Sequence, residues 1–504
     1  MQKIKLIKYI EKLKEKKLLK EENISEELKN KNVELLTYDS RQVVENTLFV
    51  CKGINFKKEF LDNSLKQGAF AYISEEEYKE ENKPYIIVND VRKALAVLSA
   101  LYTNYPEKEI NMIGITGTKG KSTTAYYIKY ILDDFMKEQN KPETAIISSI
   151  DTYDGKNRTE SVLTTPESLE LFGHIRNAVD SKIENLVMEV ASQALKIDRV
   201  YDLKYKIGVF LNISEDHISD IEHKDYEEYI TSKLKLFNQT EIAIVNLNTQ
   251  DLNRVMKAAN NAKKIITFGN TKEADIYAYD IKKDGMNTVF MVHTPRFDEE
   301  IVLTMPGLFN VENALAAIAI ADVLKIPYKN IYQGLKRAKA SGRMEVYTDK
   351  NKQVVVIVDY AHNKLSFQKL YESTIKEYPK REIVTVFGCP GGHAKNRRKD
   401  LGEVSGKYSH MNYLTMEDPR NEKIEDICKE ISVYIEKQNG KYKIVPDRGE
   451  AIKEAIFEAK PNTVILITGK GNETVQFVKG KYVKCLTDVE YAKKYLKELD
   501  KNKA

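Results

Sequence analysis

One short segment combines glycines, lysines and hydroxyl side chains between an apolar run and a helical pattern. It reads GITGTKGKSTT over residues 114–124 and is followed by AYYIKYILDD. Glycines allow consecutive backbone N–H groups to turn toward one anion, and the start of a helix attracts negative charge. We therefore interpret the segment as a phosphate-binding loop, in which Lys121 reaches the outer phosphates and Ser122 offers a hydroxyl to magnesium.

The loop is a variant of the standard phosphate-binding pattern, which would have glycine at position 115. Ile115 stands there, between Gly114 and Gly117. The Gly-Lys-Ser triplet still falls at the expected start of the helix, where its chemistry is useful. The residues that we assign to the nucleotide in this segment are Thr116, Gly117, Thr118, Gly120, Lys121, Ser122 and Thr123.

Two further side chains with metal-binding chemistry follow apolar, strand-like runs. Glu189 comes at the end of NLVME, and His217 follows VFLNISED. Because open parallel sheets bind ligands at the carboxyl ends of their strands, both side chains are expected near the loop. A carboxylate and an imidazole beside a nucleotide indicate metal ligation.

The elements that must position these residues repeat a strand-then-helix pattern, which is typical of a largely parallel sheet covered by helices. Polar or glycine-containing stretches interrupt this pattern near residues 108 and 342. We therefore predict an α/β fold with three domains, over residues 1–108, 109–342 and 343–504.

Composition excludes several classes of protein. The chain has 504 residues, of which 42% are hydrophobic and 31% charged, with a net charge of +5 spread along its length. A net charge of this size and distribution does not indicate nucleic-acid binding, and no apolar run is long enough to span a membrane. The four cysteines lie far apart without a CxxC pair, which is typical of a reducing compartment. We expect a cytoplasmic protein, and a monomer.

The N-terminal segment is basic, but acidic residues and lysines interrupt it before an export signal can form. Its periodic apolar residues predict an amphipathic helix packed on its own domain. The residues of that predicted face are Ile4, Ile7, Ile10 and Leu13.

A series of short motifs resembles the Mur ligases in order and spacing. They are TGTKGKSTT, TTPES, MEVASQAL, FLNISEDHI, SKLKLF, NVENALAA, SGRMEV, VDYAHN and GKGNE, and with YDSRQV the resemblance covers residues 38–473. It implies a three-domain Mur ligase architecture. In this plan an N-terminal domain binds the UDP end, a central P-loop-type domain with a mostly parallel sheet binds ATP, and a Rossmann-like C-terminal domain binds an amino acid.

The same resemblance implies an ATP-dependent amide ligase of peptidoglycan synthesis. Its partners would be UDP-MurNAc-L-Ala-D-Glu and a free diamino acid, joined through an acyl phosphate because a free carboxylate is a poor electrophile. One alternative is a folylpolyglutamate synthetase-type ligase, against which YDSRQV argues, since that ligase would lack the uridine domain. Another is a nucleotide-dependent switch that forms no bond and would need no C-terminal amino-acid site.

By resemblance, four residues bind magnesium, and the lysine among them carries a carbamate, which turns a cation into an anion. These residues are Ser122, Glu189, His217 and Lys233. Lys121, Glu189, His217 and Lys233 would form the catalytic set, and Asn313, Arg343 and Asp359 would join the loop in binding ATP.

The resemblance also implies contacts with the UDP-sugar peptide, although Ala191 and Ile197 depart from the family pattern. The residues that fall on those positions are Ser40, Asn55, Thr164, Thr165, Ser192 and Arg199.

The incoming amino acid would lie in the C-terminal domain. The resemblance implies that Arg398 binds its α-carboxylate and that Gly469 and Glu473 bind its α-amino end. The resemblance implies that the EDPR segment binds the distal end of the amino acid. There Arg420 favours the second carboxylate of meso-diaminopimelate, whereas Glu417 and Asp418 favour an ammonium group. The wider resemblance favours L-lysine, so we expect lysine ahead of diaminopimelate by a narrow margin.

Overall fold

The computed structural model describes residues 3–53, 56–78, 83–215, 218, 222–284, 287–392 and 394–502. Contacts between Cα atoms divide the chain into two compact units. The first contains Met1–Gly117, Leu132–Ile213 and Asp220–Thr267, and the second contains Thr118–Ile131, Ser214–Ser219 and Phe268–Ala504. The phosphate-binding segment therefore crosses from one unit to the other after Gly117.

Helices and strands alternate along most of the chain. The helices are α1 (Leu6–Glu15), α2 (Glu26–Lys29), α3 (Lys58–Lys66), α4 (Val91–Tyr102), α5 (Lys121–Glu138), α6 (Ser168–Asp180), α7 (Ser192–Lys196), α8 (Tyr226–Leu234), α9 (Leu252–Ala259), α10 (Asn310–Val323), α11 (Tyr328–Arg337), α12 (Lys364–Glu377), α13 (Asn396–Tyr408), α14 (Ile424–Glu436), α15 (Arg448–Phe457) and α16 (Asp488–Asn502). Within the described residues, no helix is both long enough and apolar enough to cross a membrane.

The strands are β1 (Ile4–Lys5), β2 (Leu19–Asn23), β3 (Asn32–Val33), β4 (Leu35–Thr37), β5 (Thr47–Val50), β6 (Ala69–Ser74), β7 (Tyr85–Val88), β8 (Asn111–Thr116), β9 (Ala145–Ile147), β10 (Asp151–Tyr153), β11 (Arg158–Glu160), β12 (Asn185–Glu189), β13 (Tyr205–Phe210), β14 (Thr240–Asn246), β15 (Lys264–Gly269), β16 (Ile276–Asp284), β17 (Asn287–His293), β18 (Asp298–Leu303), β19 (Glu345–Thr348), β20 (Val354–Asp359), β21 (Glu382–Phe387), β22 (Met411–Leu414), β23 (Tyr442–Ile444), β24 (Thr463–Thr468), β25 (Val475–Val478) and β26 (Lys481–Lys484). Short 3-10 helices lie at Pro106–Lys108 and Lys235–Gln239.

The N-terminal part of the first unit contains a five-stranded sheet in the order β2-β7-β6-β5-β4, parallel except for β2. Helices α1 and α4 contribute to one hydrophobic core. The predicted packing of the first helix is confirmed, but its buried face is Leu6, Tyr9, Ile10 and Leu13. The prediction was wrong at Ile4, because that residue pairs with Val33 in β1 before the helix begins.

The rest of the first unit contains the strand order β11-β10-β9-β12-β8-β13-β14. Strands from β9 to β14 in this order are parallel, which confirms the mostly parallel sheet. β8 lies between β12 and β13, and Ile113 is in register with both Val187 and Ile207. The antiparallel strands β10 and β11 were not predicted; short connections allow such neighbours to pair directly.

The second unit contains two sheet regions. β16, β17 and β18 form an antiparallel meander that the sequence analysis missed. The C-terminal sheet has the order β19-β20-β24-β21-β22-β23, in which only β19 is antiparallel. One core contains Phe367, Leu401 and Ile431, and a second contains Ile452 and Leu496. The predicted second parallel α/β region is thereby confirmed.

Helices α13 and α14 pack closely at a glycine. A Cβ atom added at Gly402 would lie 2.7 Å from the backbone oxygen of Ile431, too close for a side chain. We expect Gly402→Val to destabilise the protein by about 1–3 kcal/mol through overpacking. Urea unfolding measures this, with Gly173→Ala in α6 as the control, since nothing lies within 4 Å of a Cβ there. The contact is unimportant if Gly402→Val unfolds at the wild-type midpoint.

Candidate functional site

The first half of the phosphate loop is fixed by two neighbouring strands. The Thr116 hydroxyl donates to the carbonyl of Val190 at 2.9 Å, directly after β12. Gly117 has φ +150°, and a Cβ atom there would lie 2.9 Å from the Cβ of Leu211, directly after β13. Glycine is required here because both its conformation and the close approach exclude a side chain.

Lys233 in α8 lies against this half of the loop. Its side chain is 2% exposed, and its Nζ donates to the carbonyl of Gly117 at 2.9 Å. The ammonium also lies 4.7 Å from the centroid of the Tyr229 ring. A buried lysine needs such partners. The local sequence is that of a solvated helix lysine, so its burial depends on tertiary contacts.

Glu189 ends β12 with a buried carboxylate. Its Oε1 accepts hydrogen bonds from the backbone N–H and the hydroxyl of Ser149, at 2.8 and 3.2 Å. The Thr165 hydroxyl donates to the Glu189 carbonyl at 2.8 Å and accepts from the N–H of Ala191 at 3.0 Å. The structure thus brings together Glu189 and Thr165, and it gives Thr165 a role in holding the turn after β12.

Arg199 belongs to an ion-pair chain that the sequence analysis missed in part. Its Nε donates to Glu167 at 2.9 Å, and its Nη1 donates to the carbonyl of Thr165 at 3.2 Å. Lys52 donates to the other oxygen of Glu167 at 2.6 Å, and burial lowers the pKa of Lys52. The quoted TTPES motif contained Glu167, whereas nothing near Lys52 marked it. Thr164 is half-buried close by in sequence.

Ser192 begins α7, and its hydroxyl lies 3.0 Å from Nε2 of His223. His223 is fully buried, with its Nδ1 3.8 Å from the Glu228 carboxylate and its ring edge-on to Tyr229. Sequence analysis missed His223, because a lone histidine in a loop carries no pattern. It orients the Ser192 hydroxyl.

Two predicted positions, Asn55 and His217, lie outside the described residues. Ser40 is half-buried in a turn after β4.

The second half of the loop is fixed by α10 and by the chain after β13. Thr118 is buried, and its hydroxyl accepts from the N–H of Ser214 at 3.2 Å. Gly120 has φ +88°, and a Cβ atom there would lie 2.1 Å from Oδ1 of Asn313. Lys121 begins α5 and donates to the carbonyl of Thr118 at 3.3 Å. The predicted nucleotide residues Gly120 and Asn313 are therefore in direct proximity.

Arg343 contacts the first turn of α5, where Ser122 and Thr123 are both buried. Nη2 of Arg343 donates to the Ser122 hydroxyl at 3.4 Å, and its guanidinium lies 4.3 Å from the centroid of the Tyr360 ring. Asp359 ends β20 and accepts the N–H of Met344 at 3.0 Å. Burial raises the pKa of Asp359, while the nearby Arg343 lowers it.

Arg398 is directed toward carboxylates of its own domain. It is 1% exposed, and its two terminal nitrogens donate to Glu430 at 2.7 Å and to Glu422 at 2.9 Å. The nitrogen that contacts Glu422 also donates to the carbonyl of Pro390 at 3.3 Å. In this structure the guanidinium that was expected to bind an α-carboxylate is therefore occupied by internal partners.

Glu417 and Gly469 lie together at the carboxyl ends of β22 and β24. A Cβ atom at Gly469 would lie 2.2 Å from Oε2 of Glu417. Within the described part of the chain, that oxygen is buried without a hydrogen-bond partner. Burial raises the pKa of Glu417 to about 7, although Arg448, Arg397 and Lys470 oppose the shift. The carboxyl is therefore partly protonated near neutral pH.

Asp418 and Glu473 share one lysine. Lys470 is 3% exposed, and its Nζ lies 3.0 and 3.2 Å from the two carboxylate oxygens of Asp418. It also pairs with Glu473. Arg420 is half-buried, with its guanidinium 5.1 Å from the centroid of the Phe477 ring. Asp418 of EDPR and Glu473 of GKGNE thus both pair with Lys470, which was not predicted.

Comparison with known proteins identifies the family. A family model described as Mur ligase middle domain matches residues 115–321, and one described as Mur ligase, glutamate ligase domain matches residues 342–471. An Enterococcus faecalis protein named UDP-N-acetylmuramoyl-L-alanyl-D-glutamate--L-lysine ligase is 38% identical, over 91% of this chain and 90% of its own. The chain belongs to the Mur ligase family. A Clostridioides difficile Mur ligase named for 2,6-diaminopimelate instead of L-lysine is 36% identical, over 95% of this chain and 97% of its own.

A solved Mur ligase structure has the same fold. It is a UDP-N-acetylmuramoyl-L-alanyl-D-glutamate--2,6-diaminopimelate ligase, with a TM-score of 0.68 and 22% identity, and the match covers 99% of both chains. The similarity extends over all three of the blocks into which we divided the sequence.

One buried ion pair in this Mur ligase holds the loop that follows β24. Arg448 donates to both oxygens of Asp488 at 2.7 Å, and one of its nitrogens also donates to the carbonyl of Thr468 at 2.7 Å. Asp488 in turn accepts the N–H of Gly471 at 2.9 Å. The pair therefore connects the end of β24 to the loop that carries Gly469 and Glu473. Sequence analysis missed it, because the two residues are far apart in the chain.

The raised pKa of Glu417 predicts a pH-dependent stability. Its ordinary value is 4.5 and its folded value about 7, so its stabilising contribution is complete below pH 4.5 and is lost as the pH rises through 7. We expect Glu417→Gln to gain stability relative to wild type by up to about 3 kcal/mol between pH 4.5 and 8. Urea unfolding at several pH values measures this. The raised pKa would be contradicted if the difference in unfolding free energy between Glu417→Gln and wild type were the same at every pH.

Proposed function

We propose that this Mur ligase is an ATP-dependent amide ligase that joins a diamino acid to UDP-MurNAc-L-Ala-D-Glu in peptidoglycan synthesis. The observation that carries the proposal is the contact between Arg343 and Ser122, 3.4 Å long, at the start of the helix that follows the glycine loop. A cation and a hydroxyl at this point suit the transfer of a phosphoryl group. The names of the E. faecalis and C. difficile relatives support the substrate.

In this proposal each of three domains binds a different substrate. Residues 1–108 bind the UDP end, residues 109–342 bind ATP, and residues 343–504 bind the amino acid. The five-stranded sheet within the first range and the six-stranded sheet within the third support these limits. A UDP-linked substrate and the absence of paired cysteines favour the cytoplasm. The monomeric state stays a prediction.

The chemistry requires activation of a carboxylate. The dipeptide carboxylate takes the γ-phosphoryl group of ATP, and the amine of the diamino acid then attacks the acyl phosphate and displaces phosphate. Phosphoryl transfer depends mainly on positioning and on neutralising charge at the phosphate oxygens. The loop N–H groups from Thr116 to Thr123, together with Lys121 and Arg343, supply this charge, while Asn313 and Asp359 hold the nucleotide.

Magnesium fits the oxygen donors that the chain offers. The Ser122 hydroxyl and the buried Glu189 carboxylate are hard ligands of the kind that this ion prefers. Within the described residues no group of three or more histidine, cysteine, aspartate and glutamate side chains stands ready to hold a metal. A carbamate on Lys233, together with His217, would complete the set, and bound magnesium would neutralise charge on the phosphates.

The buried position of Lys233 supports carbamylation. Its nitrogen lies 2.9 Å from the carbonyl of Gly117. A carbamate keeps one N–H on that nitrogen, so it would still donate to this carbonyl while its two oxygens offered negative charge to a magnesium ion. The proposed contacts with the sugar peptide are Ser40, Asn55, Thr164, Thr165, Ser192 and Arg199. Those with the amino acid are Arg398, Glu417, Asp418, Arg420, Gly469 and Glu473.

Lys121→Ala tests the nucleotide assignment. We expect phosphate release in the presence of ATP, the UDP-dipeptide and a diamino acid to fall at least about a hundredfold, because the outer phosphates lose their nearest cation. Lys137→Ala, at an exposed position of the same helix, should be active. Turnover by Lys121→Ala at the wild-type rate would contradict the nucleotide assignment. Phosphate release that needs neither the UDP-dipeptide nor the diamino acid would favour a nucleotide-dependent switch.

Lys233→Ala tests the carbamate. We expect activity to fall and a short carboxylic acid to restore part of it, because the acid replaces the missing anion. Lys224→Ala is the control, since its side chain is 75% exposed. Independently of activity, protein in ¹³C-labelled bicarbonate should give a carbamate carbon signal in NMR that Lys233→Ala lacks. Full activity of that variant, or an unchanged signal, would contradict the proposal.

A further inference from the structure

A β-hairpin near the end of the chain carries positive charge that no acid of its own balances. It consists of β25, β26 and the turn between them, in the segment TVQFVKGKYVKCLT over residues 474–487, which we call the basic hairpin. The segment contains three lysines and neither aspartate nor glutamate. Lys479, Lys481 and Lys484 are all exposed, and none of them forms an ion pair with another residue that the structure describes. Their charges are therefore available to a partner.

The basic hairpin also exposes large apolar side chains between its lysines. Tyr482 is 73% exposed, Val483 50% and Leu486 43%. Single apolar residues are ordinary on a protein surface, but three within five positions form a patch. Lysines on an edge strand can serve to prevent pairing with another chain, and that role does not require exposed apolar neighbours. The patch therefore needs a second explanation.

The backbone fixes one strand of the basic hairpin. The N–H of Arg420 donates to the carbonyl of Phe477 at 2.9 Å, and the N–H of Lys479 donates to the carbonyl of Arg420 at 2.7 Å. The ring centroids of Phe477 and Tyr482 are 4.8 Å apart. β25 is thus attached to the chain after β22, and β26 is the outer strand of the pair.

The outer strand is open on both of its faces. Among the described strands, β26 pairs with β25 alone. Because alternate side chains of a strand point to opposite faces, Lys481 and Val483 lie on one face of β26 and Tyr482 and Lys484 on the other. All four are exposed, so each face presents one lysine and one apolar side chain.

We propose that the basic hairpin binds reversibly to an anionic phospholipid surface. Lysines are attracted to anionic headgroups, and tyrosine favours the boundary between water and hydrocarbon. A strand that enters this boundary meets lipid on both faces, whereas a protein partner would cover one. Stable attachment to a membrane takes more than one weak signal, and the basic hairpin combines charge with apolar contact. The inference is independent of the proposed function, which uses no residue of 474–487.

Sedimentation with vesicles tests the charged part of the proposal. Wild-type protein should sediment with vesicles of phosphatidylcholine and phosphatidylglycerol in equal parts, but not with vesicles of phosphatidylcholine alone. The triple variant Lys479→Glu, Lys481→Glu, Lys484→Glu should bind at least about tenfold more weakly, because three attractions become repulsions. Salt at about 0.5 M should also release wild-type protein, since ions screen exposed charges.

A matched triple variant separates the basic hairpin from the net charge of the chain. Lys257→Glu, Lys264→Glu and Lys272→Glu change three exposed lysines elsewhere and alter the net charge by the same amount. This variant should bind like wild type. Thermal unfolding verifies that both triple variants are folded, and lysine-to-glutamine changes at 479, 481 and 484 replace the glutamates if they are not.

A tryptophan reporter tests the apolar part of the proposal. The chain has no tryptophan, so Tyr482→Trp introduces a single indole on β26. Its fluorescence should shift to shorter wavelength with the anionic vesicles, because the ring enters less polar surroundings. Val433→Trp, at a 46% exposed position of α14, should show no shift. Tyr482→Ser should weaken binding to the vesicles.

Three results would overturn the proposal: no sedimentation of wild type with the anionic vesicles at low salt, an equal loss of binding in both triple variants, or no fluorescence shift for Tyr482→Trp. Binding to poly-L-glutamate that needs the three lysines but not Tyr482 would also overturn it, in favour of an acidic protein partner. None of these measurements depends on phosphate release, so the proposal and the proposed function can fail separately.

Discussion

The parallel hydrogen-bonded register of β12, β8 and β13 is the constraint on which the phosphate loop depends. Ile115 is paired with Glu189 on one side and with Val209 on the other. All three strands therefore end at the same edge, where Val190 and Leu211 approach the loop from both sides. The close approach leaves room only for glycine at position 117. Backbone geometry thus decides where the phosphate-binding N–H groups lie.

Charge pairing is the second organising interaction. Arg398, Arg448 and Lys470 are almost fully buried, and each is paired with carboxylates of its own unit. Removing one partner of such a pair leaves a charge that water cannot solvate, which is strongly unfavourable. Glu417 is different, because its Oε2 has no hydrogen-bond partner within the described residues and its pKa is raised.

Sequence reasoning was most successful where the signal was local. Loop residues such as Gly120 and Ser122 were selected because their types and spacing have a direct chemical meaning, and the helix expected after the loop begins at Lys121. The parallel sheets were predicted because strands and helices alternate. Antiparallel β10, β11 and β16–β18 were missed, since pairing direction depends on which strands meet. His223 and Arg448 were missed because neither has a recognisable neighbour in sequence.

The sequence by itself determined the chemical groups and their order along the chain, including the loop, the acid that ends β12 and the EDPR segment. Tertiary structure decided which of those groups are already engaged. Lys233 is a buried donor to Gly117, Arg398 is paired with carboxylates of its own domain, and Asp418 is paired with Lys470, 52 residues further along. The physical reason is that a charge acts through the partners and the solvent around it, and these are set only when distant segments pack together.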